Sequence, residues 1–388
     1  MVNGVILLVS FLAATGLVWG TNWIALWPWR EAKGRHWSEQ ARALYPAMVA
    51  ARTNLWTMPG LAALVVLIRW PDSSPLWLFA GIAAALGAFA GTLPLDREVF
   101  PRIKLNDLLR QGGISCLLRF LVWTIFLGIT VFMPSEFSPL AWCLGGLGIG
   151  LLELWARGGF FWLGWKIGLF QPAPERLVRI VTETASRMQV PVREVLLMRV
   201  AVAQAAALPG QGKLLFTERI LELLPDDELA VVCAHELGHL TESRSDIAKR
   251  MIGRLIFMPW LFFNPLIHTY GNVAFFGLCL LTVVVPRVSR HISRRLELRA
   301  DAMAKTNEGD AGTYARALTR LYEDNLSPAV NAKKMATHPH LYDRLLAAGV
   351  TPDFPRPAAP AAMAVTGSVF AGLVGMLFAW FVIRMMNP

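Results

Sequence analysis

The sequence predicts a multi-pass α-helical membrane protein that carries a polar α+β domain in its middle, and three observations support this fold class. Hydrophobic residues make up 55% of the 388 residues and charged residues only 16%, which is too apolar for a soluble domain of this length. Apolar runs recur in the first half, each about long enough to cross the hydrocarbon core of a bilayer. By contrast, residues 171–250 are polar and show helical and strand patterns.

The N-terminal apolar runs predict a transmembrane bundle of about five spans within residues 1–165. The first run, residues 2–27, has neither a basic leader nor a clear cleavage site, so we expect it to remain as an anchor. The second run is the weakest because Arg52 and Pro59 interrupt it. The later runs comprise residues 45–68, 76–95, 114–133 and 140–165.

Basic residues between these runs predict the orientation of the bundle. Lys and Arg gather in residues 30–52 and 96–113, and such residues accumulate on the cytoplasmic side of a membrane. We therefore expect the polar region from residue 166 to face the cytoplasm, at the inner membrane if the cell is bacterial. The net charge of +10 is spread beside apolar runs, which favours the lipid bilayer as a partner and predicts no nucleic-acid partner.

The polar region from residue 166 to residue 250 predicts a soluble α+β piece. The stretch "PERLVRIVTETASRM" has the apolar spacing of a helix, and "EVLLMRVAVAQAAALPGQGKLLFTERI" predicts two strands around a Pro-Gly turn. A second helix is predicted at "LPDDELAVVCAHELGHL", where Pro225 suits the first turn and three acidic residues complement the helix dipole.

The motif HELGH lies well inside this second helix and predicts a metal site. His235 and His239 are four residues apart and project from one helix face, so their imidazoles can share a metal ion. Glu236 stands beside the first imidazole and can reach a water bound to that ion. The spacing suits metal-assisted hydrolysis, but such a site needs a third protein ligand.

The later stretch "RRLELRADAMAK" supplies candidates for the third ligand and for a supporting carboxylate. Glu297 and Asp301 are four residues apart on one helical face. A catalytic zinc commonly takes two His, one carboxylate and a water, and each His needs an outer acceptor. By itself this run also fits a solvated charged helix, and the preceding HELGH favours the metal site.

The apolar stretch between the two motifs tests this interpretation. A single crossing would place Glu297 and His239 on opposite sides of the bilayer, so two crossings or none are required. The break at "NPLIHTYGN" predicts a transmembrane or embedded hairpin over residues 251–290. Basic residues on both flanks predict that both ends are cytoplasmic.

Three stretches carry a family resemblance that covers about residues 175–350: "AHELGH", "ELRAD" and "THPHLYDR". They resemble the signatures of the membrane-embedded zinc metalloproteases that include CAAX prenyl protease 1 and HtpX. The resemblance implies a zincin-like (gluzincin) α+β metalloprotease domain in two parts, residues 166–250 and 291–350. A Pro-rich linker at residues 351–360 and a C-terminal transmembrane helix at residues 361–388 would follow.

The resemblance also implies roles for individual residues. It implies that one Zn²⁺ per chain is bound by His235, His239 and Glu297, with Glu236 as general base. In the third signature, His338 would stabilise the oxyanion of the reaction intermediate. Asp301 and Arg344 would support the site near the metal. Gln204, Ala205 and Ala206 would bind substrate on an edge strand, and the family usually has Asn at the position of Gln204.

The predicted function is an integral-membrane zinc-dependent endopeptidase that cleaves peptides or membrane proteins by means of an activated water. Quality control of membrane proteins or processing of membrane-associated substrates would both suit a site in apolar surroundings. Two alternatives remain open, namely processing of prenylated CAAX proteins and a protease-based membrane signal transducer. A transporter is a further class, for which intramembrane charges would have to line a path.

Overall fold

The structure is a computed structural model that describes residues 2–70, 75–332 and 338–361. The chain divides into two compact units. The first contains Met1–Phe120, Leu326–Ala332 and Arg356–Pro388, and the second contains Leu121–Asn325 and Lys333–Pro355. The predicted domain boundaries remain a prediction, and the predicted C-terminal helix lies, apart from residue 361, outside the described residues.

Helices form the first unit, and they occupy the predicted apolar runs. The weak second run is one continuous helix that contains Pro46 and Pro59. The helices are α1 (Val2–Ala25), α2 (Trp27–Glu31), α3 (Trp37–Arg69) and α4 (Leu76–Val99), and α5 (Leu105–Phe132) begins here and continues into the second unit. Gly87 and Gly91 on α4 lie against backbone atoms of α1, where a Cβ would clash, so these small residues allow close helix packing.

The second unit begins with the remainder of α5 and a helical segment that the sequence predicts as one run. The structure interrupts this run with a single π-helical turn at Trp155–Gly159, between α6 (Pro139–Leu154) and α7 (Phe160–Lys166). Ser138 caps α6 by accepting a hydrogen bond from the backbone N–H of Ala141.

A four-stranded sheet follows, with strands β1 (Phe170–Pro172), β2 (Glu194–Met198), β3 (Ala205–Leu208) and β4 (Lys213–Thr217) in the order β1-β2-β4-β3. Strands β2 and β4 are parallel, whereas β1 and β3 pair antiparallel with their neighbours. The predicted two strands around the Pro-Gly turn are present as β3 and β4, but the predicted number of strands was too small, because "EVLLMRVAVAQAAAL" forms both β2 and β3. The chain turns out of the sheet after β2, where the N–H of Val200 donates to the carbonyl of Met198.

The other helices of the second unit contain both metal-site motifs. They are α8 (Glu175–Met188), α9 (Glu218–Leu223), α10 (Asp226–Leu240), α14 (Thr313–Asp324) and α15 (Leu341–Ala347), together with the helices of the segment described next. Helix α10 is almost entirely buried and contacts α8, α14 and β3. Its buried side chains form the centre of this part of the core: Leu229, Val231, Val232, Cys233, Ala234 and Leu237.

The predicted hairpin region connects α10 to the second motif through two unlike limbs. The first limb consists of α11 (Arg244–Arg254), a 3₁₀ segment (Leu255–Phe262) and α12 (Phe263–Tyr270), and the second is the 35-residue helix α13 (Asn272–Thr306). The turn between them is at Gly271, within the predicted break, where a φ of +58° requires the freedom of glycine.

Three helical segments are long and apolar enough to cross a membrane among the residues described: Asn3–Glu31, Leu76–Val99 and Asn272–Thr306. The chain is therefore a membrane protein. It is mostly helical and has one small mixed sheet in the described residues, which confirms the predicted fold class.

Candidate metal centre

The two histidines of HELGH lie one turn apart on α10 and are both buried. Their ring centroids are 5.0 Å apart, and the ring planes cross at 83°. The helix begins with Asp226, Asp227 and Glu228, whose negative charges are favourable at its positive end. The local sequence thus builds a rigid helix that presents two imidazoles in one direction.

Glu297 on α13 completes a group of three possible ligands. Its Oε2 is 3.6 Å from Nε2 of His235, and its Oε1 is 3.6 Å from Nε2 of His239. One ligand atom from each of the three residues lies within 4.8 Å of the others, and all three residues are buried. Two imidazole nitrogens and a carboxylate oxygen are a donor set that suits a catalytic zinc, so these residues fit a metal ion.

The other nitrogen of His235 faces a network of polar groups. Nδ1 is 3.1 Å from Oδ1 of Asp301 and 3.1 Å from the hydroxyl of Tyr314. The Tyr314 hydroxyl donates to Asp301 at 2.6 Å, and the tyrosine ring stacks on the imidazole at 6.1 Å between centroids. These contacts fix both the orientation of the ring and the nitrogen that carries its proton.

The network continues to Arg344, which is buried on α15. Its Nε donates to Oδ2 of Asp301 at 2.8 Å, and its Nη2 donates to Oδ1 at 2.6 Å. The same Nη2 donates to the Tyr314 hydroxyl at 2.8 Å. This bidentate ion pair holds the Asp301 carboxylate in one orientation and compensates its charge.

The second histidine has a carboxylate of its own. Nδ1 of His239 is 2.8 Å from Oε1 of Glu242, a buried residue two positions beyond the end of α10. Carboxylates therefore contact Nδ1 of both histidines, which leaves both Nε2 atoms directed at Glu297. This arrangement is the one in which imidazoles commonly bind a metal.

The surrounding carboxylates also shift the acid–base properties of His235. In the chain without metal, burial by itself lowers the pKa of His235. Hydrogen bonds to Asp301 and Glu297 outweigh that effect and raise the pKa to about 9. A proton and a metal ion therefore compete for the His235 imidazole.

Glu236 and His338 lie beside this group. Glu236 follows His235 on α10 and is only 8% exposed. Nδ1 of His338 is 2.9 Å from Oε2 of Glu297, and the His338 side chain is 56% exposed. His338 thus combines contact with a candidate ligand and access from solvent, while Thr337 of the same signature lies outside the described residues.

The three predicted substrate-binding residues lie at or just before β3, which is an edge strand of the sheet. Ala206 is opposite Leu215 of β4, and Ala205 is opposite Phe216. Gln204 precedes the strand, and its backbone N–H and carbonyl both pair with Thr217 while the residue is exposed. Helix α10 contacts β3, so this strand runs beside the helix that bears the histidines.

Two residues of the site, Tyr314 and Glu242, were not predicted from the sequence. Glu242 could have been found, because a carboxylate three residues after a histidine at a helix end is within reach of its ring. Tyr314 carries no such signal, since 79 residues separate it from His235 in the chain. Only the packing of α14 against α10 brings the two side chains together.

Comparisons with known proteins identify relatives of this chain. A family model described as peptidase family M48 matches residues 173–349. A protease HtpX homolog from Trichormus variabilis is 30% identical in an alignment 216 positions long that covers 46% of this chain and 72% of that protein. A second protease HtpX homolog, from Aquifex aeolicus, is 28% identical in an alignment 252 positions long that covers 55% of this chain and 83% of that protein.

A solved structure shares the fold. The crystal structure of S. mikatae Ste24p covers 88% of this chain and 98% of its own, with a TM-score of 0.50 and 17% sequence identity. At this level of identity, the similarity concerns the fold alone.

Proposed function

We propose that this chain, which belongs to peptidase family M48, binds one zinc ion at His235, His239 and Glu297. Membership of this family makes the chain a membrane metalloprotease that acts on peptides or proteins. The observation that carries this proposal is that ligand atoms of these three residues lie within 4.8 Å of one another. Zinc is the metal that best suits two imidazoles, one carboxylate and an open position for water.

In the proposed reaction, Glu236 is the general base. A bound zinc ion supplies Lewis acidity and lowers the pKa of a water molecule towards neutrality. Glu236 accepts the proton from the water that attacks the peptide carbonyl, and then returns that proton to the leaving amine. Its place beside His235 on the rigid helix α10 supports this role.

We propose that His338 donates a hydrogen bond to the oxyanion that forms during the attack. Its contact with Glu297, a proposed ligand, and its exposure to solvent support this role. Asp301 would keep His235 in the tautomer that binds metal, and Arg344 would hold Asp301 in place.

The substrate would bind as an extended peptide along β3. Strand β3 pairs with β4 on one side, and its other side offers backbone groups to a peptide. Ala205 and Ala206 would pair with the peptide, and the Gln204 side chain would lie at the entry of this strand. Small alanine side chains leave space for substrate side chains of many kinds, which suits a protease of broad specificity.

The proposed setting is the cytoplasmic face of the membrane. Helix α13 carries Glu297 after an exposed apolar segment, so the candidate site lies close to that segment along the helix. Such proximity suits cleavage of membrane proteins during quality control. The same apolar surroundings suit a prenylated carboxyl terminus, which makes CAAX processing the second candidate.

The decisive experiment uses the full chain purified in detergent. We expect about one zinc per chain in the wild type and in Glu236→Gln, with casein cleavage reduced about 10²- to 10⁴-fold in the variant because the proton acceptor is lost. Glu183→Gln changes an exposed glutamate on α8 and should cleave like the wild type. A prenylated CAAX peptide as a second substrate distinguishes processing from general proteolysis.

Metal-free wild-type protein, or full cleavage by Glu236→Gln, would contradict this proposal. Rapid cleavage of the prenylated peptide together with slow cleavage of casein and of its unprenylated counterpart would favour CAAX processing.

A further inference from the structure

Helix α13 changes character sharply along its length. Its first part is apolar and exposed, and only 6% of its most hydrophobic stretch is buried. The exposed apolar side chains in this part include Val273, Phe276, Leu280, Val283, Val284 and Val288. From Asn272 to Leu296 the helix contains no acidic residue, and the first one is Glu297. The segment is therefore suited to contact lipid directly.

The end of this apolar part overlaps a cluster of basic residues, namely Arg287, Arg290, His291, Arg294 and Arg295. Nη1 of Arg287 donates to the carbonyl of Val283, and Nε of Arg290 donates to that of Pro286, so both side chains lie back towards the apolar part. Within the described part of the chain, neither these two arginines nor Arg295 forms an ion pair with a carboxylate.

We propose that residues 287–295 of α13 bind the headgroups of anionic phospholipids. This segment rises about 12 Å at about 1.5 Å per residue, which is long enough to cross the headgroup layer of one leaflet. Guanidinium groups bind phosphate oxygens with two parallel hydrogen bonds, and basic residues at a membrane surface attract anionic lipid. The adjoining exposed apolar face distinguishes a lipid from a soluble polyanion, because only a lipid would contact both parts.

The position of this segment connects lipid binding to the candidate metal centre. Glu297 lies two residues beyond Arg295 on the same continuous helix. Headgroups bound at residues 287–295 would therefore hold the end of α13 at a fixed depth and set the distance of Glu297 from the bilayer.

The test measures lipid selectivity of the full chain in bilayers of phosphatidylcholine with spin-labelled phosphatidylglycerol or phosphatidylcholine as probe. We expect the wild type to prefer the phosphatidylglycerol probe several-fold at low salt. Arg287→Gln/Arg295→Gln should lose most of that preference. The control is Arg187→Gln/Arg193→Gln, which removes two exposed arginines of the α8 to β2 region. This variant should keep the preference for phosphatidylglycerol.

Two outcomes would overturn the proposal: a wild type without any preference, or an equal loss in the control variant. Arg287→Lys/Arg295→Lys preserves the charge and should retain most of the preference, which separates a lost contact from a damaged fold. High salt should reduce the preference in the wild type as well.

A separate observation concerns Glu242, whose side chain is 1% exposed and contacts Nδ1 of His239 at 2.8 Å. The backbone N–H of Glu242 donates to the carbonyl of His239, and this tight turn at the end of α10 brings the carboxylate back to the ring. We infer that Glu242 is a positioning residue for His239, just as Asp301 contacts the equivalent atom of His235. This inference rests on the proposed metal site.

Metal affinity, measured by competition with a chelator, tests the role of Glu242. We expect Glu242→Gln to weaken zinc binding about 10- to 100-fold because the carboxylate no longer orients the imidazole. Glu242→Asp should recover part of this loss, and Glu183→Gln should have no effect. The chelator-treated proteins should unfold at similar temperatures, whereas a merely structural role would lower the unfolding temperature of Glu242→Gln.

The two possible failures can be told apart. A wild type that binds no zinc would refute the metal site itself, whereas equal zinc affinity of the wild type and Glu242→Gln would refute only the positioning role.

Discussion

At the scale of single residues, the candidate centre depends on buried charges that compensate one another. Asp301 receives two hydrogen bonds from Arg344 and one from Tyr314, and it also contacts His235. Each of these groups would be unfavourable inside the core without its partners. The site is therefore a connected network, in which removal of one member leaves another without compensation.

This network predicts a large effect for Arg344→Met. The substitution keeps much of the side-chain volume but leaves the Asp301 carboxylate without its cation, so we expect a loss of about 3–5 kcal/mol in the free energy of unfolding. Chemical or thermal unfolding in detergent provides the measurement.

The matched control is Arg179→Met, because the Arg179 side chain is 60% exposed and its partner Asp226, at 2.9 Å, is 53% exposed. An exposed pair contributes little, and the control should change stability by less than about 1 kcal/mol. Equal effects of the two substitutions would contradict the argument from burial.

Local spacing explains which site residues were predictable. The separation of four between His235 and His239, and again between Glu297 and Asp301, fixes a shared helix face whatever the rest of the fold does. The structure brings the first three of these together as expected, while their roles as ligands stay a prediction. Tyr314 depends on contacts between distant elements, which no local pattern encodes.

At the scale of elements, the distance between α10 and α13 determines whether the three candidate ligands can share a metal. Gly238 lies between the two helices inside HELGH. A Cβ at this position would be 3.2 Å from Cα of Ala300 and 3.4 Å from Sδ of Met303. The glycine thus permits the close approach that brings Glu297 to the histidines.

We therefore predict that Gly238→Val pushes the helices apart. Overpacking of this kind costs about 1–3 kcal/mol, and the displaced Glu297 should reduce zinc retention by more than tenfold. Metal content after dialysis against a weak chelator measures the effect.

Gly277→Val on α13 is the control for inserting valine into a helix, since among the described residues a Cβ there would have no atom within 4 Å beyond its chain neighbours and the backbone of its own helix. Full zinc retention by Gly238→Val would show that the two helices do not limit the site.

Element boundaries show where prediction from sequence failed. Apolar residues continue through the turn at residues 199–204 of "EVLLMRVAVAQAAAL", so hydrophobicity alone could not separate β2 from β3. The hairpin break was predictable because Gly271 and its neighbours are turn residues. The difference between the two limbs of the hairpin depends on helix packing, which the periodicity of the sequence does not predict.

At the scale of the whole molecule, the predicted classes of fold and enzyme are confirmed: the chain is a membrane metalloprotease of mostly helical structure. The candidate metal centre joins α10 and α13, which are far apart in the sequence. A metal ion there would act as a crosslink between them, since it binds the folded chain and has no preformed site in the unfolded one. Metal removal should therefore lower the unfolding temperature of the second unit.

This crosslink predicts opposite pH dependences with and without metal. In the metal-free chain, the pKa of His235 is raised to about 9 from an ordinary value of 6.5. A group with a raised pKa stabilises the fold fully below its unfolded pKa, and that contribution disappears as the pH rises through its folded pKa. The chelator-treated protein should therefore become less stable between about pH 6.5 and pH 9, by as much as about 3 kcal/mol.

The zinc-loaded protein should show the reverse trend, because protons compete with the metal for His235 and His239 at lower pH. Unfolding temperatures recorded at several pH values in detergent, with zinc and with chelator, should therefore diverge as the pH rises. With zinc, Glu236→Gln should behave like the wild type if Glu236 serves the reaction and the three neighbouring residues bind the metal. With chelator, the variant should lose less stability as the pH rises, because the charge of Glu236 helps to raise the pKa of His235. Parallel curves in the two series would mean that His235 is not the residue at which protons and metal compete, and would remove it from the proposed ligand set.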